Sequence, residues 1–152
     1  MAAVSFKEIA GLIKEAKNPL ILTGAKSSDY VIEQMIKLSD SLNVQVAATG
    51  NTIADLLDKG FSRCSKEWLV EIVNNMLLSD WKGIDGKGKP DLLIFVGYLS
   101  GVLNQLLSTL KIYSGCKTLT LDNRYLSNAV YSLNPSSAKE WENGMDKLVK
   151  EI

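Results

Sequence analysis

The amino-acid sequence predicts an α/β fold: a doubly wound parallel sheet with helices on both faces, built as a single domain over residues 1–152. Three observations predict it. Short, near-continuous apolar runs alternate along the chain with stretches whose apolar residues recur at helical spacing. Runs without polar alternation are the pattern of strands buried on both faces, and such strands require a parallel sheet covered above and below by helices. The runs end at Gly24, Thr49-Gly50, Gly97 and Asp122, residue types that suit tight strand-to-helix turns. With right-handed crossovers, a doubly wound topology is the simplest arrangement, and 152 residues suffice for one such domain.

The elements follow in order. Ser5 and Glu8 form a capping box, in which each side chain bonds the other's backbone N–H. Phe6, Ile9, Ala10, Ile13 and Ala16 then lay one apolar stripe along a first helix. Asn18-Pro19 stops it, and residues 20–23 read as a short buried strand ending at Gly24. A second helix starts near Ser28-Asp29 with Val31, Met35, Leu38 and Leu42 on one side, and residues 44–48 form the next strand. Residues 51–58 predict a short helix and residues 60–64 a connection. A helix over 66–78 follows, with Trp68, Leu69, Ile72, Val73 and Met76 as its buried stripe. Three glycines and a terminal proline make residues 80–90 a surface loop, with Trp81 at its rim as the expected partner contact.

Residues 91–96 are the clearest buried strand. The strongest helical periodicity comes next: Leu99, Val102, Leu103, Leu106, Leu107 and Leu110. Residues 117–121 form a strand ending at Asp122, and residues 123–135 show no clear pattern. A second capping box, Ser137 and Glu140, opens a last helix that buries Trp141, Met145, Leu148 and Ile152.

Composition narrows the function. The chain has 17 basic and 17 acidic side chains, a net charge of zero, which lacks the basic excess of a nucleic-acid or membrane-surface binder. There is no histidine, which excludes Ser-His-Asp, Cys-His and imidazole-metal chemistry within the chain. Cys64 and Cys116 are the two cysteines and form no C-x-x-C pattern, so neither a metal site nor catalytic residues are expected. The N-terminus has no secretory pattern and no apolar run is long enough to span a bilayer, so a soluble, cytoplasmic protein is expected.

In a doubly wound fold, ligands lie beyond the carboxyl ends of the strands where strand order reverses. The residues expected there are Gly24, Lys26, Ser27, Thr49, Gly50, Gly97 and Asp122. Glycine lets backbone approach a ligand, Lys26 and Ser27 offer donors to a phosphate, and Asp122 accepts from a ribose hydroxyl. The same glycines suit any tight turn, and neither G-x-G-x-x-G nor G-x-x-x-x-G-K-[ST] occurs.

Several segments carry a resemblance. They are Asn18-Pro-Leu-Ile-Leu-Thr-Gly24, Val46-Ala-Ala-Thr-Gly50 and Asp80-Trp-Lys-Gly-Ile-Asp-Gly-Lys-Gly-Lys-Pro-Asp-Leu-Leu-Ile-Phe-Val-Gly97. Asn104-Gln-Leu-Leu-Ser108, Leu121-Asp-Asn-Arg-Tyr125 and Asn128-Ala129 continue it. Over essentially its whole length the chain resembles the epsilon subunits of the archaeal carbon monoxide dehydrogenase/acetyl-CoA synthase complex, also called acetyl-CoA decarbonylase/synthase. The resemblance implies a domain like the NAD/FAD-binding domain of deoxyhypusine synthase. It implies a partner, the alpha subunit that carries the nickel–iron–sulfur chemistry of CO oxidation, in an alpha-two, epsilon-two assembly. The implied role is to stabilise that subunit, or alternatively to bind FAD and help receive the electrons. It transfers no catalytic residue.

Overall fold

A computed structural model describes residues 2–152. In chain order the elements are β1 (Ala2–Val4), α1 (Phe6–Glu15), β2 (Pro19–Thr23), α2 (Asp29–Leu42), β3 (Val46–Ala48), α3 (Gly50–Asp58) and β4 (Cys64–Lys66). They continue with α4 (Leu69–Met76), β5 (Leu92–Val96), α5 (Ser100–Tyr113), β6 (Lys117–Thr120), β7 (Tyr131–Leu133) and α6 (Ala138–Glu151). The seven strands form one sheet in the order β1-β7-β6-β5-β2-β3-β4, and every pairing is parallel. The doubly wound parallel sheet expected from the sequence is present.

Side-chain alternation divides the interior in two. Ile21 of β2 and Leu92, Ile94 and Val96 of β5 face one cluster with α1, α2, α3 and α6. Leu20 and Leu22 of β2, with Leu93 and Phe95 of β5, face a second cluster with α4 and α5. Ser5, Ser28 and Ser137 cap α1, α2 and α6, each accepting from a backbone N–H three residues on at 3.2–3.3 Å. Asn43, at φ 54°, closes α2 in the left-handed conformation.

Three strands were not expected. β1, β4 and β7 are three residues each, too short for periodicity to register, and β1 and β4 are the sheet's edges. The helix expected over 66–78 starts three residues later, because residues 64–66 pair with β3. Trp68 therefore precedes the first turn with an extended backbone (φ −81°, ψ 138°), and its side chain leaves the stripe it was assigned to: it is exposed. Leu99 holds the same position before α5 and is exposed, as is Val102, against the expected buried stripe. Trp81, expected as a partner contact, is half-buried and packs with Ile84 onto the α4/α5 cluster.

The 80–90 loop is held inward by a clamp at the amino edge of the sheet. The Asp91 carboxylate accepts from the Lys17 and Asn18 N–H groups (2.8 and 2.9 Å), and the Asn18 amide donates to the Gly88 and Lys89 carbonyls (3.1 Å each). Asp91→Ala is expected to lower unfolding free energy by about 1–3 kcal/mol, with Asp91→Asn intermediate because it keeps one acceptor. Urea midpoints measure this, and an unchanged Asp91→Ala midpoint would show that the clamp contributes nothing.

Candidate functional site at the carboxyl edge of the sheet

The crossovers from β2 and β5 run in opposite directions across the sheet, so the switch point lies between the carboxyl ends of these two adjacent strands. Gly24 and Gly97 stand there and pack on each other. The Gly24 N–H donates to the Val96 carbonyl (2.9 Å), and the Lys26 N–H to the Gly97 carbonyl (2.7 Å). The Ser27 N–H donates to the Gly24 carbonyl (3.1 Å), which also accepts from the Thr52 hydroxyl (3.2 Å). The Thr49 N–H donates to the Thr23 carbonyl (3.3 Å), and the Gly97 N–H to both oxygens of Asp122 (3.1 and 3.2 Å). A Cβ on Gly24 would strike the Gly97 carbonyl and the Tyr98 ring; one on Gly97, at φ +82°, would strike the Ser27 hydroxyl. The strand-end amides are thus engaged with protein acceptors, and the crevice at the switch point is closed by its own loops. Thr23 Oγ1 and Ser27 Oγ are buried there without a hydrogen-bond partner.

Two clefts remain on either side of Tyr98, whose ring stacks edge-on to Phe95 with centroids 6.2 Å apart. The first, of about 430 Å³, is polar and includes Lys26, Gly97, Ser100, Asp122 and Arg124. Its wall is the start of α5, where no side chain caps the free N–H groups. Arg124 donates to the Ser100 hydroxyl at 3.1 Å. Burial pushes the Asp122 carboxyl above its ordinary pKa, against the opposing pull of the Gly97 N–H and Arg124. Burial alone pushes the Tyr98 phenol up.

The second cleft, of about 320 Å³, is apolar and lies between the starts of α4 and α5. Trp68, Val70, Leu99 and Val102 form its walls, Tyr98 and Leu106 its floor, and Lys26 and Thr49 its rim. Trp68 and Leu99 are 59% and 60% exposed, Val70 and Val102 52% each.

The seven expected site residues are therefore divided. Lys26, Gly97 and Asp122 meet at the polar cleft, and Thr49 lines the apolar one together with Lys26 and Gly97. Gly24 and Ser27 lie behind Gly97, and Gly50 is an exposed residue at the start of α3. The apolar cleft was not foreseen. Its signal was present as apolar residues at the two positions before helices where Ser, Thr, Asp or Asn is the rule. It continues into a wider surface: Leu77, Leu78, Ile112 and Tyr113, at the far ends of α4 and α5, are also exposed. Each of these helices carries one charged side chain, Glu71 and Lys111, whereas α6 carries seven in fourteen residues.

Since Gly24 and Gly97 serve loop packing, Gly97→Leu reports on the fold rather than on a ligand. Gly24→Ala and Gly97→Ala are each expected to destabilise by about 1–3 kcal/mol through overpacking, and at Gly97 through strain as well. Gly11→Ala, on the open face of α1, is expected to stabilise by about 0.5–1 kcal/mol. Denaturant unfolding of the three variants checks this, and a neutral Gly24→Ala would mean that the loops move apart freely.

Comparison with known proteins agrees along the whole chain. Residues 1–151 match the family described as CO dehydrogenase beta subunit/acetyl-CoA synthase epsilon subunit. The chain is 30% identical over 152 residues to acetyl-CoA decarbonylase/synthase complex subunit epsilon 1 of Methanosarcina barkeri, covering 98% of this chain and 88% of that protein. It is 34% identical over 143 residues to subunit epsilon of Methanothermobacter thermautotrophicus, covering 92% and 82%. It is 32% identical over 133 residues to subunit epsilon 1 of Archaeoglobus fulgidus, covering 86% and 72%. No helix among the described residues is long and apolar enough to cross a membrane.

Proposed function

The chain belongs to the CO dehydrogenase beta subunit/acetyl-CoA synthase epsilon subunit family, and from that premise we propose that it is an accessory subunit of the CO dehydrogenase component of the complex. It stabilises the alpha subunit, in an alpha-two, epsilon-two assembly that interconverts CO and CO2 in acetyl-CoA synthesis or cleavage. One observation carries the reading: α4 and α5 carry one charged side chain each and expose Trp68, Val70, Leu99, Val102, Ile112 and Tyr113 at or beside their outer sides, among polar but uncharged residues such as Asn74 and Gln105. Charge depletion with aromatic and aliphatic enrichment marks the core of a lasting protein–protein interface, whereas a solvated helix face carries charges as α6 does. A partner that binds only the folded alpha subunit stabilises it by mass action, by about 2.7 kcal/mol at a hundredfold excess over Kd. Purified alpha subunit is accordingly expected to lose CO oxidation activity on warming several times more slowly with this chain at saturation. Equal inactivation half-lives with and without it would end the stabilising role.

A flavin-binding role is a second reading, supported by the polar cleft. Lys26, Arg124 and the uncapped start of α5 suit the diphosphate of a dinucleotide, and Asp122 suits a ribose hydroxyl. The amides of Gly24, Ser27 and Thr49 do not contribute, because they are already bonded. The chemistry that FAD would supply is uptake of the electrons released by CO oxidation. Titration of FAD into the chain, and into its complex with the alpha subunit, tests this through flavin fluorescence. Saturable uptake abolished by Arg124→Glu is the expected result on this reading, and absence of uptake by both forms would sink it.

A further inference from the structure

We propose that the apolar cleft between the starts of α4 and α5 is the anchor socket of the docking surface, and that it receives a large apolar side chain of the alpha subunit borne on a segment that also carries a carboxylate. The inference rests on the accessory-subunit reading above and specifies where and by what chemistry the partner is held.

The helix starts make the first argument. Serines cap α1, α2 and α6 with side-chain hydrogen bonds and Thr49 precedes α3 without making one, whereas α4 and α5 begin at Trp68 and Leu99, apolar residues with none to make. An apolar residue at this position forgoes a stabilising bond, and here the same choice is made at two neighbouring helices. The extended backbone at both positions swings the side chains out of the helical stripe and sets them as walls of one cleft, with Val70 and Val102 beside them. Local rules that fail together at one place mark a functional site rather than a packing error.

Chemistry selects the occupant. Lys26 is the charged residue among those lining the cleft, and its ammonium group has no ion-pair partner among the described residues. A carboxylate beside the anchor complements it. A small polar ligand fits poorly, because ligand pockets offer several convergent polar groups and this one has Lys26 and Thr49 at its rim. The socket is continuous with the charge-poor outer surface of α4 and α5, so an anchor seated in it would lie within one extended interface.

The test measures binding of the full chain to the intact alpha subunit. Leu99→Glu and Val102→Glu are each expected to weaken binding at least thirtyfold, as for a truncated hot spot, while Leu57→Glu on α3 leaves it unchanged. Lys26→Glu is expected to weaken it about tenfold, while Lys26→Arg retains it and its salt dependence. All four positions are exposed at the surface, so thermal melts matching wild type establish that the five variants are folded. If the wild-type chain does not bind the alpha subunit, the accessory-subunit reading fails and the socket with it. If the wild type binds and both Leu99→Glu and Val102→Glu bind as tightly, the socket alone is overturned. If these variants instead convert a self-associated chain to monomer without affecting alpha-subunit binding, the occupant is a second copy and the proposal is wrong.

Discussion

A parallel sheet must be buried on both faces, because its strands carry apolar side chains on each. Here the helices available for that task are unequal. α1, α2, α3 and α6 gather over one face, while α4 and α5 are left for the other. Two helices do not close a seven-stranded sheet, and irregular chain completes the cover. Trp81 and Ile84 of the 80–90 loop pack onto the second cluster, and Leu126 and Ala129 between β6 and β7 are buried in it. A loop with this duty has to be held in place, which explains why Asp91 and Asn18 hold its end. The outer sides of α4 and α5 then stand out. They expose Val70, Val102, Ile112 and Tyr113 among uncharged polar residues, with Glu71 and Lys111 as their charged side chains, a surface poorer in charge than that of α6.

The carboxyl edge shows why glycine alone does not reveal a ligand. A pyrophosphate approaching a strand end and a neighbouring loop approaching it impose the same demand, namely removal of the Cβ. In this chain the demand comes from the protein: the Gly97 carbonyl stands where a side chain on Gly24 would, and the Ser27 hydroxyl where one on Gly97 would. What separates the cases is the fate of the amides. In a phosphate cradle they point at the ligand, and here those of Gly24, Lys26, Ser27, Thr49 and Gly97 end on protein oxygens. The starts of α3, α4 and α5 lack a side-chain cap, and that of α5 is the one lying beside Lys26 and Arg124.

The elements that could be read from the sequence were those with enough residues to show a period. β2 and β5 are continuous apolar strands at the sheet's centre, and α1 and α6 announce themselves by S-x-x-E sequences whose serine hydroxyls accept from the Glu8 and Glu140 N–H groups in the structure. β4, Cys-Ser-Lys, and β7, Tyr-Ser-Leu, are polar or mixed triplets whose strand state comes from a neighbouring strand, which no local pattern records. Lys26, Gly97 and Asp122 were placed correctly at one edge because topology alone dictates strand-end positions. Their partition between two clefts was not legible, since it depends on where the Tyr98 ring lies.

The misassignment of Trp68 and Leu99 has one origin. Helical periodicity treats every residue as though it were already in the helix, so an apolar residue just before the first turn is counted into the stripe. At Trp68 and Leu99 the backbone is still extended, and the side chains point outward by geometry rather than by hydropathy. Trp81 sits in a glycine-rich loop, which suggests solvent, while the thinly covered second sheet face draws its ring partly inward. Burial thus followed the shortage of helices over that face, and exposure followed the two helix starts that place an apolar residue before the first turn. Both departures fall on the same layer of the molecule. The layer short of cover is also the one that exposes Trp68 and Leu99, so the asymmetry that shapes the core also marks the surface on which the proposed docking rests.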